Sequence, residues 1–238
     1  MKSDQLSGSV KMSGSVKMSG SVKKTILPNG IYGILAEKFS LGRDNVTVAK
    51  LMVDGGIDIL QYREKRHEKS MKEMYEECLA IRKITARAGV PFIINDFADL
   101  ALAVRADGVH VGQEDMPVSA LKQISGDDMI VGCSTHSPRQ AEQAVKDGAD
   151  YIGVGPVFST QTKQDVCDPV GFDYLNHVAA NIAIPFVAIG GIKKHNLAEV
   201  VKNGAECVCL VTEIVGSEDI PGRIQELKKI YSETLISV

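Results

Sequence analysis

The chain has 238 residues, of which 44% are apolar and 24% charged, so it can bury a core and is not disordered throughout. Its apolar runs are strand-sized, and none approaches the ~18 residues of a membrane span. Residues 1–24 hold five Lys and one Asp, a net +4, so with a formal total of −3 the remaining 214 residues carry −7. That balance argues against a basic sheath for nucleic acid and leaves any anionic ligand to a few local cations.

The amino end repeats a hexapeptide three times, LSGSVK, MSGSVK and MSGSVK. With one Val per unit, it buries too little to offset its ordering entropy. Residues 1–25 are therefore expected to be a flexible, disordered tail, and residues 26–238 one folded domain. Five Cys, an odd number with no C-x-x-C pair, read as reduced, which places the chain in the cytoplasm. Cys207 and Cys209, two apart in an apolar run, are expected to share one buried strand face.

From Ile31 the sequence alternates short β-branched runs with longer helical stretches. The expected strands are Ile31–Leu35, Ile59–Arg63, Pro91–Asn95, Gly108–Val111, Met129–Cys133, Tyr151–Val154, Pro185–Ile189 and Cys207–Val211. Helices are expected near 44–55, 68–88, 98–104, 117–124, 138–147, 171–180, 195–203 and 219–235. Ser137-Pro138-Arg139-Gln140 has the form of a capping box, and Gly–Ala or Gly–Val pairs close several helices before the next strand. Eight βα units predict an α/β fold, a single (β/α)8 TIM barrel, with chemistry at the carboxyl ends of the strands. An open doubly wound sheet is the alternative, but no G-x-G-x-x-G follows the first strand.

Those strand ends carry the candidate site. Ile57, Ile59, Gln61, Arg63 and Lys65 fall on one face by the period of two. Its upper part thus offers an amide and two cations suited to a diphosphate. The plainer alternative is a solvated charge run with Glu64 paired to an outer lysine. Asn95-Asp96 follows the third strand and Gln113-Glu114-Asp115 the fourth. Asp96 and Asp115 on neighbouring strands could face each other and hold Mg²⁺, which takes one or two carboxylates and fills its shell with phosphate oxygens and water. Each also reads as a helix cap, whereas Glu114 reads as an exposed acid.

Ser134 ends the fifth strand within reach of a substrate. His136 reads as loop packing sooner than as a base, and His67, His110, His177 and His195 as structural or solvated. Gly153 and Gly155 mark a close approach of a ligand or another backbone. The loop after the sixth strand supplies Thr160, Thr162 and Lys163, and as a mobile surface loop it would leave Lys163 solvated. Gly190 and Gly191 after the seventh strand, with Val211 and Thr212 after the eighth, stand where barrels of this kind hold a phosphate. They could equally form a simple turn.

Together these segments resemble the thiamine-phosphate synthase family. The resemblance is carried by Gln61-Tyr62-Arg63-Glu64-Lys65, Ile94-Asn95-Asp96, the run Ala106–Pro117, the run Gly148–Pro156, Thr160-Gln161-Thr162-Lys163 and Ala188-Ile189-Gly190-Gly191-Ile192. It implies transfer of a pyrimidinylmethyl group from hydroxymethylpyrimidine diphosphate to hydroxyethylthiazole phosphate, by a dissociative route, with Mg²⁺ as cofactor and small molecules as the partners. It implies that Asp96 and Asp115 hold the metal and that Arg63, Lys65, Asn95 and Lys163 hold the leaving diphosphate. Gln61 and Ser134 would touch the pyrimidine, and Thr160, Thr162, Gly190, Gly191, Val211 and Thr212 the thiazole phosphate. Arg63, Lys65, Lys163 and Ser134 would carry the catalytic work. Ser159, Phe97 and Thr212 depart from the family pattern. The Gly132–Ser137 segment also resembles the sister thiazole tautomerases, and a non-catalytic thiamine-phosphate binder is a third reading.

Overall fold

The computed structural model describes residues 27–126, 128–162 and 167–237. The repeat segment of the amino end and Lys163 lie outside these residues. Eight parallel strands form a closed barrel in sequence order. They are β1 (Gly30–Leu35), β2 (Ile59–Tyr62), β3 (Phe92–Asn95), β4 (Gly108–Val111), β5 (Ile130–Thr135), β6 (Tyr151–Val154), β7 (Phe186–Ala188) and β8 (Cys207–Leu210). Each strand pairs with the next, and β8 returns to β1 with Ile31 opposite Val208. The expected α/β barrel is thus the observed fold.

The connecting helices are α1 (Asn45–Asp54), α2 (Met71–Ala88), α3 (Ala98–Val104), α4 (Val118–Ser125), α5 (Pro138–Lys146), α6 (Gly171–Asn181), α7 (Leu197–Lys202), α8 (Thr212–Val215) and α9 (Ile220–Ile236). The one-turn α8 and a 3₁₀ turn at Glu37–Phe39 are too short to show a period in sequence. Capping accounts for several boundaries. Ser70 and Glu73 form a full capping box at α2, and Gly89 ends that helix in the left-handed region at φ 69°. At α5 the box is split, because Ser137 accepts from the Gln140 amide while the Gln140 side chain reaches the His136 amide instead.

Side-chain alternation divides the core in two. Tyr32, Ile34, Ile59, Ile93, Ile130, Tyr151, Val187, Cys207 and Cys209 fill the barrel interior. The larger set, including Leu35, Leu60, Phe92, Val109, Ile152 and Val208, packs between strands and helices. Cys207 and Cys209 share the inner face, as their spacing predicted, and are free thiols. Gly132 makes the filling possible, since a Cβ there would lie 2.1 Å from the Tyr151 ring and 2.6 Å from His110.

At the amino-terminal end of the barrel one device recurs on alternate strands. Asp58, Asp107 and Asp150 each stand one residue before an even-numbered strand. Their carboxylates accept the backbone amides of Ile31, Phe92 and Val131 at 2.9, 2.8 and 2.8 Å. The same carboxylates pair with Lys228, Arg82 and Lys122 from surrounding helices. Arg82 meets Asp107 through two bonds of 2.8 and 3.0 Å. At the fourth such position stands Glu206, which takes Asn29 instead. Asp107→Asn removes a partly buried charge pair and strands Arg82. It is expected to cost about 2–3 kcal/mol, lowering Tm by roughly 5–10 °C. Thermal denaturation by circular dichroism checks this, and an unchanged Tm would remove the clamp role.

Candidate active site

The opposite end of the barrel is open and polar. On β2 the inward residues are Ile59 and Gln61, both buried. Ile57 is not part of that face. It precedes the strand and packs in the outer layer, so the assumed phase from Ile57 fails while the phase from Ile59 holds. Gln61 starts a hydrogen-bonded chain across the barrel interior. Its Nε2 donates to the Tyr32 hydroxyl at 2.8 Å, which meets the Tyr151 hydroxyl at 3.1 Å. Tyr151 meets His110 Nδ1 at 2.9 Å, and His110 Nε2 meets Ser134 Oγ at 2.9 Å.

With Gln61 as donor, one polarity runs the whole way. Tyr32 donates to Tyr151, Tyr151 to Nδ1, and Nε2–H to Ser134, whose own proton is then free to point toward the mouth. Burial pushes the Tyr32 and Tyr151 hydroxyls well above the ordinary phenol range, so both stay protonated donors. His110, one of the histidines that read as structural or solvated, is structural, with its ring held between Tyr151 and Ser134. A period-two reading of His110 against Gly108 on β4 would have put it on the inner face.

Past the end of β2, Arg63 and Lys65 line a cavity of about 200 Å³ together with Glu37, Lys38, Glu64 and Thr162. Among the described residues no carboxylate pairs with Arg63. Lys65 Nζ lies 2.8 Å from Asp96 Oδ2. Glu64, between the two cations, is buried, and no lysine of the described residues pairs with it. Its Oε1 accepts the Glu37 amide at 3.0 Å and Asn45 Nδ2 at 2.8 Å. Those two bonds fix the segment that carries Arg63 and Lys65.

Asp96 follows β3 in the left-handed region, at φ 64°, where few residues other than Gly settle. Its amide donates to the His110 carbonyl at 2.8 Å. Burial raises the Asp96 carboxyl above the ordinary carboxylate range. Lys65 opposes the rise, and the adjacent Asp115 carboxylate, within hydrogen-bonding reach, adds to it. Asp115 Oδ2 also accepts the Gly112 amide at 2.7 Å, closing the loop after β4. Neither residue caps a helix, since the caps of α3 and α4 are Phe97 and Pro117 without side-chain bonds. Two facing carboxylates beside one lysine form a donor set for a hard cation that takes its remaining oxygens from a ligand and water. Among the described residues no third His, Cys, Asp or Glu joins them. Asn95 is buried at the end of β3, and Glu114 is exposed.

Past β6, Gly155 lies against the backbone of Ile189, which a Cβ would approach to 2.1 Å. The close approach foreseen there is therefore to another strand end. Gly153 faces the His110 ring, with 3.4 Å between a Cβ and Cε1. His136 Nδ1 bonds the Gly155 carbonyl, so its role is loop packing. Thr160 Oγ1 and Thr162 Oγ1 lie 3.1 Å apart. Gly190 and Gly191 have φ 99° and 64°, and a Cβ on either would strike Pro156 or the Ser159 carbonyl at 2.4 and 2.6 Å. The two glycines thus let the β6 loop lie on the β7 end. The amides of Gly190, Gly191, Val211 and Thr212 are taken by no backbone carbonyl of the described residues.

A family profile described as thiamine monophosphate synthase matches residues 31–214. A protein of Pelotomaculum thermopropionicum called thiamine-phosphate synthase is 57% identical over 207 residues, 87% of this chain and 94% of the relative. One of the same name from Caldicellulosiruptor saccharolyticus is 55% identical over 85% of this chain and 91% of its own. Among solved structures, a thiamine phosphate pyrophosphorylase from Pyrococcus furiosus superposes with a TM-score of 0.79 at 35% identity, covering 87% of this chain and 96% of that one. Barrel, strand-end residues and relatives agree: the chain belongs to the thiamine-phosphate synthase family and is a transferase of thiamine biosynthesis.

Proposed function

We propose that the mouth joins hydroxymethylpyrimidine diphosphate to hydroxyethylthiazole phosphate, giving thiamine phosphate and pyrophosphate. The observation that carries this reading is the facing pair Asp96 and Asp115 beside Lys65, with Arg63, which no carboxylate of the described residues pairs, on the cavity that Lys65 also lines. That set suits a diphosphate with Mg²⁺ better than it suits a neutral ligand. Mg²⁺, when bound to Asp96 and Asp115, supplies positive charge to the leaving diphosphate. The Asp96 carboxyl, raised chiefly by burial and further by Asp115, is a group whose charged form a nearby cation would stabilise.

The chain's own residues do the rest. Arg63, Lys65, Asn95 and Lys163 bind the diphosphate, and Gln61 and the Ser134 hydroxyl orient the pyrimidine. The bond between the methylene carbon and the diphosphate oxygen breaks with its electron pair leaving on oxygen. The thiazole nitrogen then donates its lone pair to the resulting pyrimidine cation. That nitrogen carries no proton, so no general base is required, and catalysis is positioning and charge stabilisation. Thr160, Thr162, Gly190, Gly191, Val211 and Thr212 hold the thiazole phosphate. The free thiols favour a cytoplasmic setting, and no helix among the described residues is long and apolar enough to cross a membrane.

Purified protein given both substrates and Mg²⁺ is expected to release pyrophosphate and thiamine phosphate in equal amounts. Aromatisation of a thiazole carboxylate tautomer alone would favour the isomerase reading. Binding of thiamine phosphate without turnover would favour a binder.

A further inference from the structure

Lys193 stands two residues past Gly191, and nothing above assigns it a role. Its backbone is pinned by the buried Asn196. Asn196 Oδ1 accepts the Lys193 amide at 2.7 Å, and Nδ2 donates to the Gly191 carbonyl at 3.2 Å. The side chain crosses from the end of β7 to the end of β8, where Nζ lies 2.6 Å from Thr212 Oγ1. An ammonium only donates, so the Thr212 oxygen accepts and its proton is left to point at something else.

Among the described residues, the carboxylate within ion-pair range of Lys193 is Glu213, at 3.9 Å, the outer edge of that range. Glu213 is engaged by Arg223 at 3.0 Å, and Arg223 in turn meets Glu226 at 3.2 Å. Lys193 thus brings a cation and the Thr212 hydroxyl to the ends of β7 and β8, where the amides of Gly191 and Thr212 are taken by no backbone carbonyl of the described residues. Such a convergence of donors suits a phosphate monoester dianion.

We propose that Lys193 is the cation of the monophosphate subsite and sets the preference for a phosphorylated thiazole over the corresponding alcohol. This rests on the reading that the thiazole phosphate sits at the ends of β7 and β8. Lys193→Met keeps the apolar stem and removes the charge. It is expected to raise KM for the thiazole phosphate about tenfold, the scale of one lost charge-assisted hydrogen bond. KM for the pyrimidine diphosphate and kcat at saturation should stay within about twofold, and Lys193→Arg should recover most of the loss.

Calorimetric titration with thiamine monophosphate and with thiamine supplies a readout independent of turnover. Wild type should bind the phosphate ester more tightly, and Lys193→Met should shrink that ratio about tenfold. Should Lys193→Met fail to fold, Lys193→Gln takes its place in the same titration. An unchanged ratio, or an equal rise in both KM values, would overturn the assignment. Absence of thiamine phosphate formation by wild type would sink the synthase reading instead, while the titration ratio still judges Lys193.

Discussion

Asp96→Ala is expected to reduce magnesium-dependent formation of thiamine phosphate by about 10³-fold or more, as expected when a preorganised charge site loses one of its two carboxylates. The effect should not be confused with unfolding, and the backbone offers a control. Asp96 sits at φ 64°, a conformation that costs an L-residue roughly 1–2 kcal/mol and costs glycine little. Asp96→Gly should therefore be as inactive as Asp96→Ala while keeping or raising Tm. Wild-type turnover in either variant would remove Asp96 from the metal site.

The same carboxyl has a signature in stability. Its folded-state value is raised, chiefly by burial, so the folded protein holds this proton more tightly than the unfolded chain does. Stability is then unaffected below the ordinary carboxylate range and falls as pH climbs from that range through the raised value. Asp96→Asn, neutral throughout, is expected to raise Tm of the metal-free protein at neutral pH. The gain should vanish below about pH 4. A gain that persists at low pH would mean the effect is packing and not charge.

The second large effect is at Lys65. Its Nζ sits 2.8 Å from Asp96 Oδ2 and lines the same cavity as Arg63. Lys65→Ala removes a cation that would face the diphosphate and also removes the group that opposes the rise of the Asp96 carboxyl from burial and from Asp115. Turnover is expected to fall about 10²–10³-fold, with apparent metal affinity at pH 6 falling more than at pH 8. Lys65→Arg should restore part of the rate. Retention of activity within twofold in Lys65→Ala would place the leaving group elsewhere.

Much of this was legible in sequence for a simple reason. Buried parallel strands read as short continuous apolar runs, and a barrel commits polar residues at their carboxyl ends to one surface. Asp96, Asp115, Lys65 and Arg63 could be placed that way. Ile57 could not, because the strand begins only at Ile59 and period-two logic stops where the backbone leaves the sheet. Period two puts His110 on the inner face with Gly108 but does not say what it meets there. Its meaning comes from Tyr151 and Ser134, 41 and 24 residues away. Glu64 was hidden for a similar reason, since its partners are the Glu37 amide and Asn45. Lys193 has no local signature either, since its contact is Thr212 at the end of the next strand, 19 residues on.

The carboxylate clamps at Asp58, Asp107 and Asp150 lie at the end of the barrel away from Asp96 and Lys65. Robustness and chemistry are therefore assigned to opposite poles of one object, and each can be altered with the other held still. An engineer wishing to harden this enzyme would work at the seam between β7 and β8, where Glu206 leaves the series of aspartates incomplete, and would expect a higher melting point from a catalyst whose mouth had not been touched.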